Sequence, residues 1–299
     1  MEDKPLLSVC LLTYNHAPYI AQAIESVLMQ QTDFKWELII SDDCSNDGTR
    51  EIMFKYKAAY PDLITLILNE KNLGAYQHWV NLLNTPKSKY IAYFEGDDYW
   101  TSPSKLQKQV DFLEANPAYT FVGHHVKTLD QQTGTLSDYM TYESNPIRLR
   151  DTIFGPPIHT CSYVARNGMG FPEGIKNLPA GDDALICHWA SKGLGHSIPE
   201  FMAVYRHSSA GTWSTLQQNE KDFRTFIIHL WIFKHYKPLL KTQAVQLGKE
   251  FLSIKKNEPA NLKRLSVKNW ATLLLPLSIA FFVLSWQNLK KWFGIKKAS

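Results

Sequence analysis

Only four cysteines occur in 299 residues, and Cys10, Cys44, Cys161 and Cys187 are too far apart for a zinc knuckle or a redox pair. They read as reduced thiols, which suits a cytosolic protein. The start of the chain, Met1 to Leu6, is short and charged and gives way at once to a strand-like run, so no secretory signal is read there. No internal repeat and no low-complexity tract is visible. Neither charge sign dominates, the formal net charge being +4, and 44% hydrophobic against 20% charged residues excludes wholesale disorder.

The small surplus of positive charge is unevenly placed. From Glu250 onward nine basic residues face two acidic ones, a surplus of seven, which leaves the first 249 residues at −3. That argues against a nucleic-acid-binding body and for a basic tail with a partner of its own, an anionic membrane surface. Within the tail, Trp270 to Trp286 is a 17-residue run without a charge. At about 1.5 Å per residue it spans roughly 25 Å, short of the ~30 Å hydrocarbon core, and Pro276 bends it. Five basic residues precede it and four follow, which favours both flanks on one side of a membrane. The reading is a helix that dips into or lies on the inner leaflet; a buried C-terminal helix is the competing one.

Ahead of the tail, short apolar runs alternate with helical spacing. Ser8–Leu12, Trp36–Ser41, Ile64–Leu68 and Tyr90–Phe94 are apolar at nearly every position, as strands covered on both faces are. Between them lie the helical patterns Ile20, Ile24, Val27, Leu28; Ile52, Phe54, Tyr56; and Trp79, Leu82, Leu83. The fold class is therefore α/β: a mostly parallel, mixed sheet flanked by helices, with its ligand site at the carboxyl ends of the strands. Ser102 and Pro103 open a further helix that Asn116 and Pro117 end. Thr120–Val126, His159–Arg166 and Phe201–Arg206 are expected strands, Asp182–Ser191 a helix, and Phe223 to Trp231 an apolar stripe on a long helix. The expected division is a first domain over 1–215, with a nucleotide-binding half to about 117 and an acceptor half over 118–215, followed by a helical region over 216–299.

The sharpest chemical signal is Glu95-Gly96-Asp97-Asp98, directly after a strand. Carboxylates about 4 Å apart repel by roughly 4 kcal/mol at an effective dielectric near 20, which a divalent cation such as Mg²⁺ or Mn²⁺ relieves. A solvated acidic turn is the competing reading of these letters. Asp42, Asp43 and Asp47 follow the second strand in the same way and would face the same crevice, Asp47 preferentially as a helix cap. Thr13-Tyr14-Asn15 ends the first strand, where Tyr14 can stack on a nucleobase.

Taken jointly, Ser8-Val9-Cys10-Leu11-Leu12-Thr13-Tyr14-Asn15, the Asp42-Asp43 block ending in Asp47-Gly48-Thr49, then Asn72-Leu73-Gly74 and Glu95-Gly96-Asp97-Asp98 resemble family-two glycosyltransferases of the GT-A fold, over roughly the first 210 residues. The resemblance implies a nucleotide-diphosphate sugar donor (UDP-sugar preferred), Mn²⁺ or Mg²⁺, and inversion at the anomeric carbon. It places Thr13, Tyr14, Asn15, Asp42, Asp43, Asn72 and Gly74 around the donor, and Glu95 with Asp97 or Asp98 at ribose and metal. Glu95 stands where aspartate is commoner, which leaves open whether it touches the metal or only the ribose. Asp182 and Asp183 open a helix where such enzymes carry the catalytic base; Asp183 is the first choice and Asp182 the second, with helix capping as the competing role. His207 is implied as a metal ligand and Arg206 as a cation for the departing diphosphate. His124, His125, His159 and His188 are read as structural.

No Gln-x-x-Arg-Trp signature of processive members follows Asp183, so one sugar per encounter is expected. The implied acceptor is a glycan or lipid-linked hydroxyl in bacterial surface polysaccharide or glycolipid assembly, reached from the cytoplasmic face of the membrane. A nucleotidyltransferase is the rival within the same fold region, but no glycine-rich, basic phosphate loop lies between Leu12 and Tyr19. A catalytically silent sugar-nucleotide binder or scaffold is the rival of another class.

Overall fold

The computed structural model describes residues 4–143, 145–175, 178–207, 215–236, 240–257, 259–262, 264–265, 273 and 276–277. The first half alternates as the apolar pattern requires: β1 (Leu7–Thr13), α1 (Ile20–Leu28), β2 (Trp36–Asp42), α2 (Thr49–Ala59), β3 (Ile64–Leu68), α3 (Ala75–Leu83) and β4 (Tyr90–Glu95). There follow the short β5 (Tyr99–Trp100), α4 (Lys105–Ala115), β6 (Tyr119–Asp130), β7 (Leu136–Met140), β8 (Val164–Arg166), α5 (Asp182–Lys192) and β9 (Leu194–His207). Three helices close the described chain, α6 (Gln218–His235), α7 (Leu240–Asn257) and α8 (Pro259–Leu262).

All nine strands join one mixed sheet in the order β3-β2-β1-β4-β8-β6-β9-β5, with β7 paired to β6. The strands β3, β2, β1 and β4 run parallel; β8 is antiparallel to both β4 and β6. Side chains alternate across the strands, so each strand feeds two cores. Leu7, Val9 and Leu11 of β1 pack with Ile20, Ile24 and Val27 of α1 and with Leu106, Val110 and Leu113 of α4 on one face. Cys10 and Leu12 pack with Trp79, Leu82 and Leu83 of α3 and with Leu185, Ile186 and Trp189 of α5 on the other. Each such side chain taken out of water contributes about 1.5–3 kcal/mol. A separate cluster joins α6 to α7 through Phe223, Phe226, Leu230, Leu247 and Ile254.

Register positions the site. Thr13 pairs with Asp42 and Leu12 with Glu95, so the expected ligand-binding residues of β1, β2 and β4 stand at the same edge of the sheet. Adjacent strands lie roughly 4.8 Å apart, close enough for their terminal side chains to share one ligand.

Three expectations need correction. His159–Arg166 is a strand only over Val164–Arg166; Thr160–Ser162 forms a 3-10 turn, because Ser162 Oγ donates to the His159 carbonyl (2.7 Å) and the His159 ring accepts from the Cys161 amide. No strand is expected between Val126 and His159, yet Leu136–Met140 forms β7, an exposed edge strand without the apolar run by which strands are read. The helix expected to open at Ser102 starts at Lys105, and Ser102 instead accepts from the Lys105 amide. The run Trp270 to Trp286 lies outside the described residues apart from Leu273, Pro276 and Leu277; Leu273 is buried in the α6–α7 cluster. Among the described residues no helix is long and apolar enough to cross a membrane.

Candidate active site

The crevice is built from three loops that leave the parallel strands. After β1, Asn15 takes a left-handed conformation (φ 52°); its amide donates to Ser45 Oγ and its Oδ1 accepts from the Asn46 amide. Those bonds tie the end of β1 to the loop after β2 and leave the Tyr14 ring 44% exposed at the rim. Thr13 is buried, its hydroxyl without a partner among the described residues. A Cβ on Gly96 would lie 3.1 Å from that hydroxyl, so the chain between Glu95 and Asp97 passes close to Thr13.

Asp42 and Asp43 are both fully buried, and their carboxylates organise the loops. Asp42 accepts from the Ser45 amide, the Ser45 hydroxyl and Arg50 Nε. Asp43 accepts from Asn69 Nδ2 (2.9 Å), the Leu73 amide (2.9 Å) and the Gly74 amide (3.0 Å). The exposed Asn72 and Gly74, implied donor contacts, are thereby held at the crevice, with Gly74 at φ 82°. Asp47 accepts from the Ala17 and Thr49 amides, but Gly48 and not Asp47 takes the cap position of α2, so Asp47 braces the turn just ahead of the helix rather than capping it.

The acidic centre lies at the end of β4. Glu95 accepts from Tyr93 Oη (2.9 Å) and Thr160 Oγ1 (3.3 Å). Burial, with Asp97 and then Asp182 adding repulsion, pushes its carboxyl up to about 7. Asp98 is buried, one oxygen accepting from the Arg206 amide (2.9 Å) and the other without a partner among the described residues. Burial and the charges of Asp97 and Glu95 hold its carboxyl well above the usual range. Asp97, between them, is partly exposed toward the crevice mouth.

The first turn of α5 carries Asp182 and Asp183 and brings Asp182 to this centre. Its start is fixed by Gly181, where a Cβ would meet the Tyr76 ring at 2.5 Å and the Trp79 ring at 2.7 Å. Repulsion from Asp182 reaches Glu95, Tyr76, Tyr93, Tyr139 and Tyr163, which places that carboxylate in the same electrostatic neighbourhood as the β4 acids. Asp183 is raised well above the carboxylate range by burial and by Asp182, and its own charge is felt at Cys187. Asp182, far beyond Glu95 in the chain, thus joins it, a convergence no local motif displays.

Two implied residues have surroundings of their own. The Arg206 guanidinium is buried between the rings of Tyr19 (5.1 Å) and Tyr99 (4.7 Å) and bonds to Gln22, on the face of β9 opposite Tyr205, while its charge still acts on Asp98. Alternation along β9 sets that orientation. His207 is exposed at the end of β9, in register with Asp130, and lines a cavity with Asp130, Tyr139, Tyr205 and Lys221. His159, read from sequence as structural, lies instead beside the acidic centre: ligand-type atoms of Asp98, His159 and Cys161 are all within 4.8 Å of one another. Only the turn that replaces the expected strand brings it there.

The donor sets differ in chemistry. Glu95 and Asp97 offer hard oxygens at a partly open mouth, and their repulsion is what a hydrated Mg²⁺ or Mn²⁺ relieves, so they fit such an ion. Asp98, His159 and Cys161 form a largely buried mixed O, N, S set in which His159 stays partly exposed, with burial holding the imidazole down near 4 and the thiol up; that set suits softer ions better.

Parallel strands with a carboxylate-lined crevice at their carboxyl ends define an α/β protein whose ligand site sits where nucleotide-binding sheets carry theirs. Within that class the chain belongs to glycosyl transferase family 2, whose family model matches residues 8–168, more than half of its length. An uncharacterized protein of Mycobacterium tuberculosis is 32% identical over 218 residues, which are 73% of this chain and 63% of that relative, so the chain spans less than two thirds of that relative's length. The putative teichuronic acid biosynthesis glycosyltransferase TuaG of Bacillus subtilis is 36% identical over 247 residues, 78% of this chain and 95% of TuaG. Among solved structures, S. aureus TarS 1–349 in complex with UDP-GlcNAc superposes with a TM-score of 0.62 at 16% identity, covering 91% of this chain and 79% of TarS 1–349. The mannosyltransferase PcManGT from Pyrobaculum calidifontis in complex with GDP-Man and Mn²⁺ does so with a TM-score of 0.58 at 17% identity, covering 98% and 88%. These likenesses define the fold as GT-A-like, an α/β architecture with a mixed sheet flanked by helices.

Proposed function

We propose that the protein is an inverting glycosyltransferase that moves one sugar from a nucleotide-diphosphate sugar, with UDP the preferred nucleotide, to an acceptor hydroxyl of a glycan or lipid-linked glycan in surface polysaccharide assembly. The observation that carries the reading is the approach of Asp182, at the first turn of α5, to Glu95 at the end of β4 and Asp97 just beyond it, with Asp183 next in the chain. Family membership, the similarity to TuaG and the nucleotide-sugar complexes of TarS and PcManGT support it.

Tyr14 stacks on the base, and the loop that Asp43 holds against Asn72 and Gly74 closes over the nucleoside. Glu95 and Asp97 would hold Mn²⁺ or Mg²⁺, which when bound neutralises charge on the diphosphate. Asp98 anchors β9 beneath them through the Arg206 amide. In a single displacement the acceptor oxygen bonds to the anomeric carbon from the face opposite the diphosphate. The bond to the diphosphate oxygen breaks with its electron pair leaving on that oxygen. The acceptor proton passes to Asp183, whose raised proton affinity makes it a better base than an ordinary carboxylate. Asp182, which raises it, fills a positioning role.

The test is direct. Asp183→Asn lowers transfer by at least about a hundredfold while donor binding survives; Asp182→Asn, which keeps the base, retains more activity. Unchanged transfer in Asp183→Asn removes it from the role of base, and equal loss of donor binding favours a silent nucleotide-sugar binder whose acids only hold the loop.

The body is proposed to work in the cytoplasm at the inner membrane face, with the basic, apolar tail as the contact. That reading stands on the tail's charge and apolar pattern.

A further inference from the structure

We propose that the cavity over the β6–β7 hairpin is an acceptor-side subsite for a pyranose ring, seated on the face of Tyr139; the acceptor role rests on the glycosyltransferase reading above. The cavity, about 580 Å³, is of the size that holds a small organic ligand. Its floor is aromatic. Tyr139 and Tyr205 stack at 5.5 Å between centroids, and the His159 ring lies 4.6 Å from Tyr205 and 5.7 Å from Tyr139. Tyr139 nonetheless remains 50% exposed, an unusual state for a large ring already packed against two others.

The rim is hydroxylic and charged. Thr128, Thr133, Thr135 and Ser137 line it together with Asp130 and Lys221. Asp130 Oδ1 is fixed by the Gln132 and Thr133 amides, both at 2.8 Å, and these bonds keep the carboxyl below its ordinary range, hence anionic and ready to accept from a hydroxyl. An electron-rich ring face beneath a ring of hydroxyls, a carboxylate and an ammonium matches a pyranose, which presents C–H bonds on one face and hydroxyls at its edge. A nucleobase would favour a flat slot without that equatorial set of polar partners.

Position gives the role. The hairpin belongs to the half of the sheet beyond β8, so β4 and β8 separate it from the loops of β1 and β2 where the nucleoside is placed. It still borders the acidic centre: Asp182 and Asp98 both act on the Tyr139 hydroxyl, and His159 lies against both Tyr205 and Tyr139. A sugar on Tyr139 therefore stands on the side of the acids opposite the nucleoside.

Saturation-transfer NMR on the full chain tests this, with the methyl glycosides of glucose, galactose, N-acetylglucosamine and glucuronic acid as probes and with UDP and GDP titrated separately. The expected result is transfer to the ring protons of at least one glycoside, undiminished by added nucleotide. That signal falls at least tenfold in Tyr139→Ala and persists in Tyr139→Phe, which keeps the ring. Absence of signal from every glycoside overturns the subsite, as does a signal equally strong in Tyr139→Ala. Failure of both nucleotides to bind while the glycoside still depends on Tyr139 would remove the donor reading and leave a sugar-binding cavity.

Discussion

Asp43 accepts three hydrogen bonds from Asn69, Leu73 and Gly74 while buried at the end of β2, so its charge is the organiser of the loop that precedes α3. Hydrogen bonds to a charged group contribute about 1.5–3 kcal/mol each, and buried donors left without an acceptor are costly. Asp43→Ala is accordingly expected to lower stability by on the order of 3 kcal/mol in urea unfolding and to weaken UDP binding, since Asn72 and Gly74 lose their anchor. Full stability with weakened nucleotide binding would instead make Asp43 a direct base contact. Letters alone could not separate these roles. Asp42 and Asp43 look equivalent in sequence, and it is Arg50 and Ser45, brought round by the turn into α2, that occupy Asp42. The same holds at Asp97 and Asp98: the pairing of β5 with β9 turns Asp98 inward beneath the Arg206 amide and leaves Asp97 at the mouth. The packing of Arg206 against Tyr19 and Tyr99 was likewise not legible, because alternation along a strand cannot be phased until its partner strand is known.

At the scale of elements, the start of α5 depends on α3. Gly181 sits where any Cβ would overlap the Tyr76 and Trp79 rings, both of them on a helix whose position the second core fixes. Gly181→Ala is expected to cost about 1–3 kcal/mol through overpacking and to reduce transfer out of proportion to that loss, because the first turn carrying Asp182 and Asp183 must shift. Thermal unfolding together with steady-state transfer measures both; a destabilised enzyme with unchanged kcat would show that the first turn tolerates displacement. The strands β1 and β4 were legible because burial on both faces keeps nearly every position apolar. The hairpin strand β7 was not, being exposed along nearly its whole length, nor was the turn at Thr160–Ser162, whose residues have ordinary strand propensity. His159 went unrecognised for that reason: only the turn brings it beside Asp98.

For the whole molecule, charge is divided between an acidic body and a basic tail. About 1 kcal/mol per lysine near an anionic surface gives the four lysines Lys290, Lys291, Lys296 and Lys297 an effect of roughly 4 kcal/mol together. The full chain should therefore float with phosphatidylglycerol-containing vesicles at low salt, and replacement of those lysines by glutamate should release it. Equal flotation with neutral phosphatidylcholine vesicles would assign the contact to apolar surface alone. Most of the fold up to β6 and the clustering of acids were visible in the sequence, through joint spacing rather than any single motif. The cavity over the β6–β7 hairpin was not, because it is assembled from β6, β7, β9 and α6, elements far apart in the chain that only the assembled sheet unites. At this scale transfer depends on Glu95 and Asp97 gripping a diphosphate through one divalent ion. Isothermal titration of UDP into the full chain, with Mn²⁺ and with chelator, in wild type and in Asp97→Asn, measures that grip. The expected result is binding at least tenfold tighter with Mn²⁺, a gain that Asp97→Asn abolishes; a Mn²⁺ gain undiminished in Asp97→Asn, or UDP binding indifferent to the ion, would contradict it.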